Sequence, residues 1–170
     1  MKNLEIYIHI PFCVRKCEYC DFLSFPADDD AKLRYVKGLM AEMIFYGPLM
    51  KNYQVSSVYI GGGTPSSIDE QWIAALMEGV FDCFNVLPDA EISIECNPGT
   101  LSREKLLAYR DAGINRLSIG LQSANNDELK LLGRIHTFEQ FVTNYEVARN
   151  VGFKNINVDL MYGLPGQSAS

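Results

Sequence analysis

Short segments with apolar residues at alternate positions recur along the chain, separated by longer segments with helical periodicity. The alternating segments cover residues 4–10, 55–60, 90–96, 115–121 and 155–161, and each ends in glycine, proline or a polar cluster. This pattern is typical of short β-strands joined by helices. It predicts an α/β fold in which about five parallel strands are covered on the outside by four main helices.

Polar residues at the helix starts predict where two of these helices begin. Asp30 is the expected N-cap of a helix that runs to about Tyr46, where Gly47 and the following proline stop it. Ser67 and Glu70 have the spacing of a capping box, in which side chain and backbone bond reciprocally. Two further caps are expected later in the chain, at Ser102 and at Thr137 with Gln140.

Strand parity predicts two unlike faces of the sheet, because alternate residues of a strand point to opposite sides. The aliphatic face carries Leu4, Ile6, Ile8, Ile10, Val58, Ile60, Ile92, Ile94, Leu117, Ile119, Leu121, Ile156, Val158 and Leu160. The other face carries Tyr7, His9, Tyr59, Gly61, Ser93, Glu95, Asn97, Ser118, Gly120, Gln122, Asn157 and Asp159. We expect helices on the first face and a curved, incompletely closed barrel whose polar inner face binds a polar ligand. The alternative is a water-filled concavity in which these residues bond one another.

Length and charge narrow the class of protein. The chain has 170 residues, which suits one domain spanning 1–170. Its net charge of −6 offers no basic stripe for nucleic acid or anionic lipid. It contains no run of 18 apolar residues and no signal-peptide pattern, so we expect no transmembrane segment and a cytoplasmic location.

Three of the five cysteines lie within eight residues, directly after the first predicted strand. Cys13, Cys17 and Cys20 have the spacing C-x3-C-x2-C, which allows one loop to wrap an iron–sulfur cluster and leave one iron open. A zinc site is the competing interpretation, but neither histidine has zinc-ligand spacing with these cysteines. The remaining cysteines, Cys83 and Cys96, are expected to be core residues.

Several motifs in one order resemble a known family. They are YIHIPFC and CEYCDF near the start, then GGGTPS, GINRLS, GLQS, GRIH and DLMYGLPGQ. Together they are similar to the radical S-adenosylmethionine superfamily, and within it to the oxygen-independent coproporphyrinogen III oxidase-like group with its haem-chaperone branch. The resemblance runs essentially from end to end and implies an incomplete TIM-type barrel.

The resemblance implies a [4Fe-4S] cluster on Cys13, Cys17 and Cys20, with S-adenosylmethionine chelating the fourth iron. Reductive cleavage then yields methionine and a 5′-deoxyadenosyl radical, with electrons from a reductant such as flavodoxin or ferredoxin. The residues that match cofactor contacts in the family are Tyr7, Tyr19, Gly62, Gly63, Thr64, Glu95, Gln122, Arg134 and Asp159. Parity independently puts Tyr7, Glu95, Gln122 and Asp159 on the inner face, whereas Arg134 rests on the resemblance alone. Glu95 or Asp159 could instead be a structural partner of an arginine, Arg116 or Arg134. No catalytic residue is assigned.

The sequence departs from the oxidases of this group in two ways that indicate which branch of the family it resembles. Oxidases of this group carry a fourth cysteine two positions after the third, where this chain has Phe22, and a long leader before the first strand. Both departures favour the haem-chaperone branch, with haem or a porphyrin as a ligand of the full-length protein. We also expect a partial barrel, because relatives add a sixth strand and helix and a C-terminal domain.

Two alternatives to the haem chaperone remain open. One is a coproporphyrinogen III oxidase of porphyrin biosynthesis, and the other is a [4Fe-4S] binding or electron-transfer module without radical chemistry. The triple glycine and the inward polar residues argue against the second, since a plain ferredoxin needs neither.

Overall fold

The computed structural model describes residues 2–168 and contains the predicted strands and helices. The strands are β1 (Lys2–Ile10), β2 (Tyr53–Gly62), β3 (Val86–Cys96), β4 (Arg116–Gln122) and β5 (Asn155–Leu160). The helices are α1 (Asp29–Tyr46), α2 (Glu70–Cys83), α3 (Arg103–Asp111), α4 (Asn126–Leu131) and α5 (Phe138–Asn150). Short 3-10 turns lie at Gly47–Met50, Pro65–Ser67 and Pro98–Thr100. No helix within residues 2–168 has the length and apolarity needed to cross a membrane.

The five strands form one parallel sheet in the order β1-β2-β3-β4-β5. The sheet is open, so the prediction of an incomplete α/β barrel is confirmed. Its register aligns inner-face positions of neighbouring strands, such as Tyr7 with Tyr59 and Glu95 with Ser118. Because the strands are parallel, their carboxyl ends meet at one edge, and the loops that follow lie together.

The aliphatic face of the sheet packs under the helices, as strand parity predicts. Ile10, Ile60, Ile94, Leu117 and Ile119 are completely buried there. On β5 the cover is thinner, and Leu160 is 66% exposed. Burial of this face supplies the main driving force for folding. The polar face is therefore not needed for the core and can form a binding surface.

The N-cap predicted at Asp30 is wrong. Helix α1 begins two residues earlier, because the side chain of Asp28 accepts a hydrogen bond from the backbone N–H of Ala31 at 2.8 Å. Asp30 lies in the first turn, where its carboxylate pairs with Arg34 at 2.7 Å. Three consecutive aspartates make the exact cap position ambiguous in the sequence, since each is a good N-cap.

The capping box predicted at Ser67 and Glu70 is also wrong. Ser67 belongs to the 3-10 turn Pro65–Ser67, and its hydroxyl donates to the carbonyl of Phe12 at 3.2 Å. Asp69 caps α2 instead, accepting from the N–H of Gln71 at 2.7 Å. The caps at Ser102 and at Thr137 with Gln140 are confirmed.

Candidate functional site

A cavity of about 380 Å³ opens where the strands end, on the polar side of the sheet. Its walls come from all five strand ends or the loops that follow them, and from the segment after α4. The lining residues are Cys13, Arg15, Cys17, Tyr19, Cys20, Phe22, Gly62, Gly63, Thr64, Glu95, Cys96, Asn97, Ser118, Gly120, Gln122, Arg134, Asp159 and Met161. All three clustered cysteines are in this set, together with every predicted cofactor contact except Tyr7.

The loop with the three cysteines is anchored to the fold at several points. Its start is held by Phe25, whose carbonyl accepts from the N–H of Cys13 at 3.2 Å. Further along, the N–H of Glu18 donates to the carbonyl of Leu132 at 3.1 Å, and Cys20 folds back onto the carbonyl of Cys17 at 3.1 Å. These bonds hold the loop over the cavity and keep the three thiols on its wall.

Two of the thiols have a hydrogen-bonding neighbour from a distant part of the chain. The Sγ of Cys13 lies 3.4 Å from the Oγ1 of Thr64, and the Sγ of Cys17 accepts from the Nη1 of Arg134 at 3.8 Å. Hydrogen bonds to cluster sulfurs tune reduction potential in iron–sulfur proteins. All five cysteines of the chain are free thiols.

The donor set fits an iron–sulfur cluster better than a single ion. Thiolates are the usual ligands of [4Fe-4S] clusters, and three of them line one cavity. Within residues 2–168, no three His, Cys, Asp or Glu side chains are close enough together to hold one metal ion. In a four-iron cube each thiolate binds a different iron atom, so the ligands need not converge on one point.

Gly62 and Gly63, in the Gly61-Gly62-Gly63 segment, lie too close to neighbouring atoms to carry a side chain. A Cβ atom on Gly62 would lie 2.6 Å from the His9 ring, and the residue also has a φ of +117°. A Cβ on Gly63 would lie 3.1 Å from the Sγ of Cys13 and 2.8 Å from the carbonyl of Phe12. The segment therefore gives space to the cysteine loop as well as exposing backbone to the cavity.

Glu95 presents its carboxylate at the wall of the cavity and is held by two donors. Its Oε1 accepts from the hydroxyl of Tyr59 at 2.7 Å, and its Oε2 accepts from the backbone N–H of Gly62 at 3.1 Å. Burial, and then the bond to Glu95, raise the pKa of Tyr59 well above its usual range, so this phenol stays a donor at physiological pH.

Asp159, on β5, also lines the cavity and belongs to a small polar network. It accepts from the hydroxyl of Ser118 at 3.3 Å and from the amide of Asn157 at 2.7 Å. Neighbouring Gln122 is the one described non-glycine residue with positive φ, 72°, at a register shift between β4 and β5. A register shift of this kind bends the strand locally.

Arg134 crosses between the cysteine loop and the end of β4. Its Nη2 donates to the carbonyl of Gly120 at 2.5 Å, and its Nη1 lies 3.4 Å from the hydroxyl of Tyr19. Its buried Nε has no hydrogen-bond partner within residues 2–168. Arg134 also lines the cavity, so its guanidinium charge is available to an anionic group bound there. Burial raises the pKa of Tyr19, and the positive charge of Arg134, which lowers it, only partly offsets that rise.

Tyr7 lies outside the group of cavity-lining residues. Its side chain is 59% exposed, its hydroxyl shares a 2.9 Å hydrogen bond with the Nδ1 of His9, and its ring packs against Tyr59 at 6.2 Å between centroids. It is on the polar face, as parity predicts, but it does not line the cavity.

Neither Arg116 nor Arg134 forms a salt bridge with the inward carboxylates, those of Glu95 and Asp159. Arg116 pairs with Glu91 at 3.7 Å and donates to Ser93 at 3.1 Å, whereas Arg134 binds the groups described above. None of the ion pairs within the described residues includes Glu95 or Asp159. The alternative in which an arginine holds one of these carboxylates in a salt bridge is therefore not realised. The alternative of polar residues bonding one another is realised in part, through Tyr59 and Asn157.

Some lining residues were not among the predicted contacts. Asn97, Ser118 and Gly120 are on the polar face, so parity alone could have indicated them. Cys96 is buried, as predicted, yet it also lines the cavity, and burial strongly raises the pKa of its thiol. Arg15 lies between two of the clustered cysteines and Met161 lies in the DLMYGLPGQ motif, but the resemblance marks neither as a contact.

Comparisons with known proteins agree on a family. The model of the Radical SAM superfamily matches residues 7–170. The heme chaperone HemW of Escherichia coli (strain K12) is 40% identical over an alignment of 171 positions, which covers 97% of this chain and 44% of the relative. The heme chaperone HemW of Bacillus subtilis (strain 168) is 40% identical over 163 residues, 95% of this chain and 43% of the relative.

Among solved structures, the coproporphyrinogen III oxidase HemN from Escherichia coli, described as a radical SAM enzyme, superimposes with a TM-score of 0.90 at 34% identity. The match covers 98% of this chain and 38% of that structure. This chain thus spans less than half the length of these relatives.

Proposed function

Since this chain belongs to the radical S-adenosylmethionine superfamily, we propose that it holds a [4Fe-4S] cluster on Cys13, Cys17 and Cys20 and binds S-adenosylmethionine beside it. The observation that carries the proposal is the single cavity that the three thiols share with eight of the nine predicted cofactor contacts. When bound, the pair supplies reductive cleavage of the sulfonium to give an organic radical.

The cavity residues suit the chemistry of that cofactor. S-adenosylmethionine carries an ammonium, a sulfonium and a carboxylate. The carboxylate of Glu95 is held in place as an acceptor for a cationic group, and the guanidinium of Arg134, on the cavity wall, is a donor for an anionic one. Gly62 and Gly63 lack the side chains that would close the cavity between these groups and the cysteine loop.

We infer that the protein is a haem chaperone, the branch suggested by the sequence, with haem bound by the full-length protein. The curated relatives that bear this name support the inference, and so does Phe22. That side chain is 69% exposed at the mouth of the cavity, where oxidases of the group have a fourth cysteine. The proposal includes residues 1–170 as one radical SAM core, a cytoplasmic location, where thiols stay reduced, and a one-electron reductant such as flavodoxin or ferredoxin.

The cluster assignment is tested by reconstituting Cys17→Ala and Cys83→Ala under anaerobic conditions with iron and sulfide. We expect Cys17→Ala to retain little iron, because two thiolates hold the cube poorly. Cys83→Ala is the matched control, since Cys83 is a half-buried thiol packed against the core and not on the cavity wall. Normal iron and sulfide content in Cys17→Ala would refute the ligand assignment.

The branch is tested on the full-length protein. Stoichiometric haem binding without conversion of coproporphyrinogen III supports the chaperone. Turnover of coproporphyrinogen III, with S-adenosylmethionine consumed, would instead favour the oxidase, which the structural match to HemN keeps as the second candidate.

A further inference from the structure

The pairing of Tyr59 with Glu95 points to a residue that acts on the cofactor without touching it. Tyr59 is on β2 and Glu95 on β3, and the phenol donates to the carboxylate across 2.7 Å. Tyr59 is half-buried and is not a lining residue of the cavity, whereas Glu95 is.

The contact between these side chains depends on a gap in β2. Gly61 is buried, and a Cβ atom there would lie 2.8 Å from the Cε1 of Tyr59 and 3.1 Å from the Cδ of Glu95. Both distances are too short for an ordinary contact, so any side chain at this position would push the two residues apart. The first glycine of the triple thus makes room for the pair, a role different from that of Gly62 and Gly63.

The two donors on Glu95 together fix the direction of its carboxylate. The N–H of Gly62 binds one oxygen and the hydroxyl of Tyr59 binds the other. A glutamate side chain has three rotatable bonds, and ordering it costs conformational entropy. A site in which the carboxylate is oriented beforehand avoids that cost when the ligand binds.

We propose that Tyr59 is a positioning residue, which orients Glu95 to accept a hydrogen bond from the amino group of S-adenosylmethionine. This inference rests on the proposed function and adds to it a residue that the family resemblance did not indicate. The competing explanation is that Tyr59 only packs against Tyr7 and the sheet and contributes to stability alone.

The direct test is Tyr59→Phe, which removes the hydroxyl and keeps the ring. Tyr53→Phe is the matched control, because Tyr53 is a half-buried tyrosine on the same strand, at the end remote from the cavity. The dissociation constant of S-adenosylmethionine is measured by anaerobic equilibrium dialysis on reconstituted protein. We expect about tenfold weaker binding in Tyr59→Phe, the effect of one lost hydrogen bond to a charged group, and less than twofold change in Tyr53→Phe.

A double-mutant cycle separates positioning from general support. In a Glu95→Ala background the hydroxyl has no carboxylate to orient, so Tyr59→Phe should weaken binding by less than twofold further. If the phenol acts only through stability, its effect remains the same in both backgrounds. The EPR signal of the reduced cluster gives an independent readout. In Tyr59→Phe it should shift as in the wild type, but at about tenfold higher S-adenosylmethionine concentration.

Gly61→Ala should separate Tyr59 from Glu95 by adding a Cβ atom between them. It should therefore also weaken the binding of S-adenosylmethionine, with the iron and sulfide content of the cluster retained. Affinity equal to wild type in Tyr59→Phe, or full additivity with Glu95→Ala, would overturn the positioning role. Failure of the proposed function has a different signature, since wild-type protein would then bind no S-adenosylmethionine at all.

Discussion

The guanidinium of Arg134 donates a hydrogen bond to the Sγ of Cys17 across 3.8 Å, although the two residues are 117 positions apart. The same side chain binds the carbonyl of Gly120 at the end of β4. One cation therefore joins the cysteine loop to the end of β4 and lies next to a proposed cluster ligand.

We expect Arg134→Gln to make the reduction potential of the reconstituted cluster more negative. A donor and positive charge beside a ligand thiolate stabilises the reduced, more negative cluster, and its removal withdraws that stabilisation. A loss of about 1.4 kcal/mol corresponds to a shift of about 60 mV for one electron. Potentiometric titration followed by EPR, without S-adenosylmethionine, measures the shift.

Arg149→Gln is the control for this titration, because Arg149 binds the carbonyls of Phe153 and Lys154 near the amino end of β5. Its potential should equal that of the wild type. An unchanged or more positive potential in Arg134→Gln would remove the link between Arg134 and the cluster.

We expect Gly63→Ala to impair cluster assembly. Its Cβ would lie 2.8 Å from the carbonyl of Phe12 and 3.1 Å from the Sγ of Cys13, so the first cysteine must move. Iron and sulfide content after reconstitution should fall by more than half, with the far-UV circular dichroism unchanged.

Gly38→Ala is the matched comparison on the exposed side of α1, where a new Cβ meets no atom within 4 Å. It should stabilise the fold by about 0.5–1 kcal/mol, because alanine loses less conformational freedom in a helix. Wild-type cluster content in Gly63→Ala would mean that the cysteine loop has more space than its contacts indicate.

The stability of the protein should fall in mild acid because of His136. Burial, and then the positive charge of Arg134, lower the pKa of this histidine to about 4. The unfolded chain, with a pKa near 6.5, takes up the proton first, so the folded state loses free energy as the pH falls from about 6.5 to about 4. The loss attributable to His136 is at most about 3 kcal/mol.

Urea unfolding of wild type and His136→Phe at pH 7, 5.5 and 4.5 tests this expectation. The wild type should lose stability more steeply with acid than the variant. Parallel pH profiles would show that other groups account for the acid sensitivity.

The sheet could be predicted from the sequence because each strand has a clear period of two and ends in glycine, proline or polar residues. Helix starts were less predictable. Three adjacent aspartates compete to cap α1, and Pro65 initiates a turn that takes Ser67 out of the position a capping box requires. Local alternatives of similar energy are decided by tertiary contacts, which the sequence does not display.

Parity and motif both indicated Glu95 and Asp159, and the structure places these two residues on the cavity wall, whereas Tyr7, which they also indicated, lies outside it. Contact of these residues with a cofactor stays a prediction. Contacts that depend on how neighbouring strands align could not be predicted from the sequence. Tyr59 is an ordinary strand tyrosine in the sequence, and only the register of β2 with β3 brings its hydroxyl to Glu95. The role of Gly61 follows from the same contact and is invisible in a run of three glycines.

The measurement that tests the central claim most directly is EPR spectroscopy of the anaerobically reconstituted and reduced protein, with and without S-adenosylmethionine. The account predicts a [4Fe-4S] signal whose g-values shift when the cofactor is added, because one iron lacks a protein ligand. Absence of a four-iron signal, or a signal that saturating S-adenosylmethionine leaves unchanged, would contradict it.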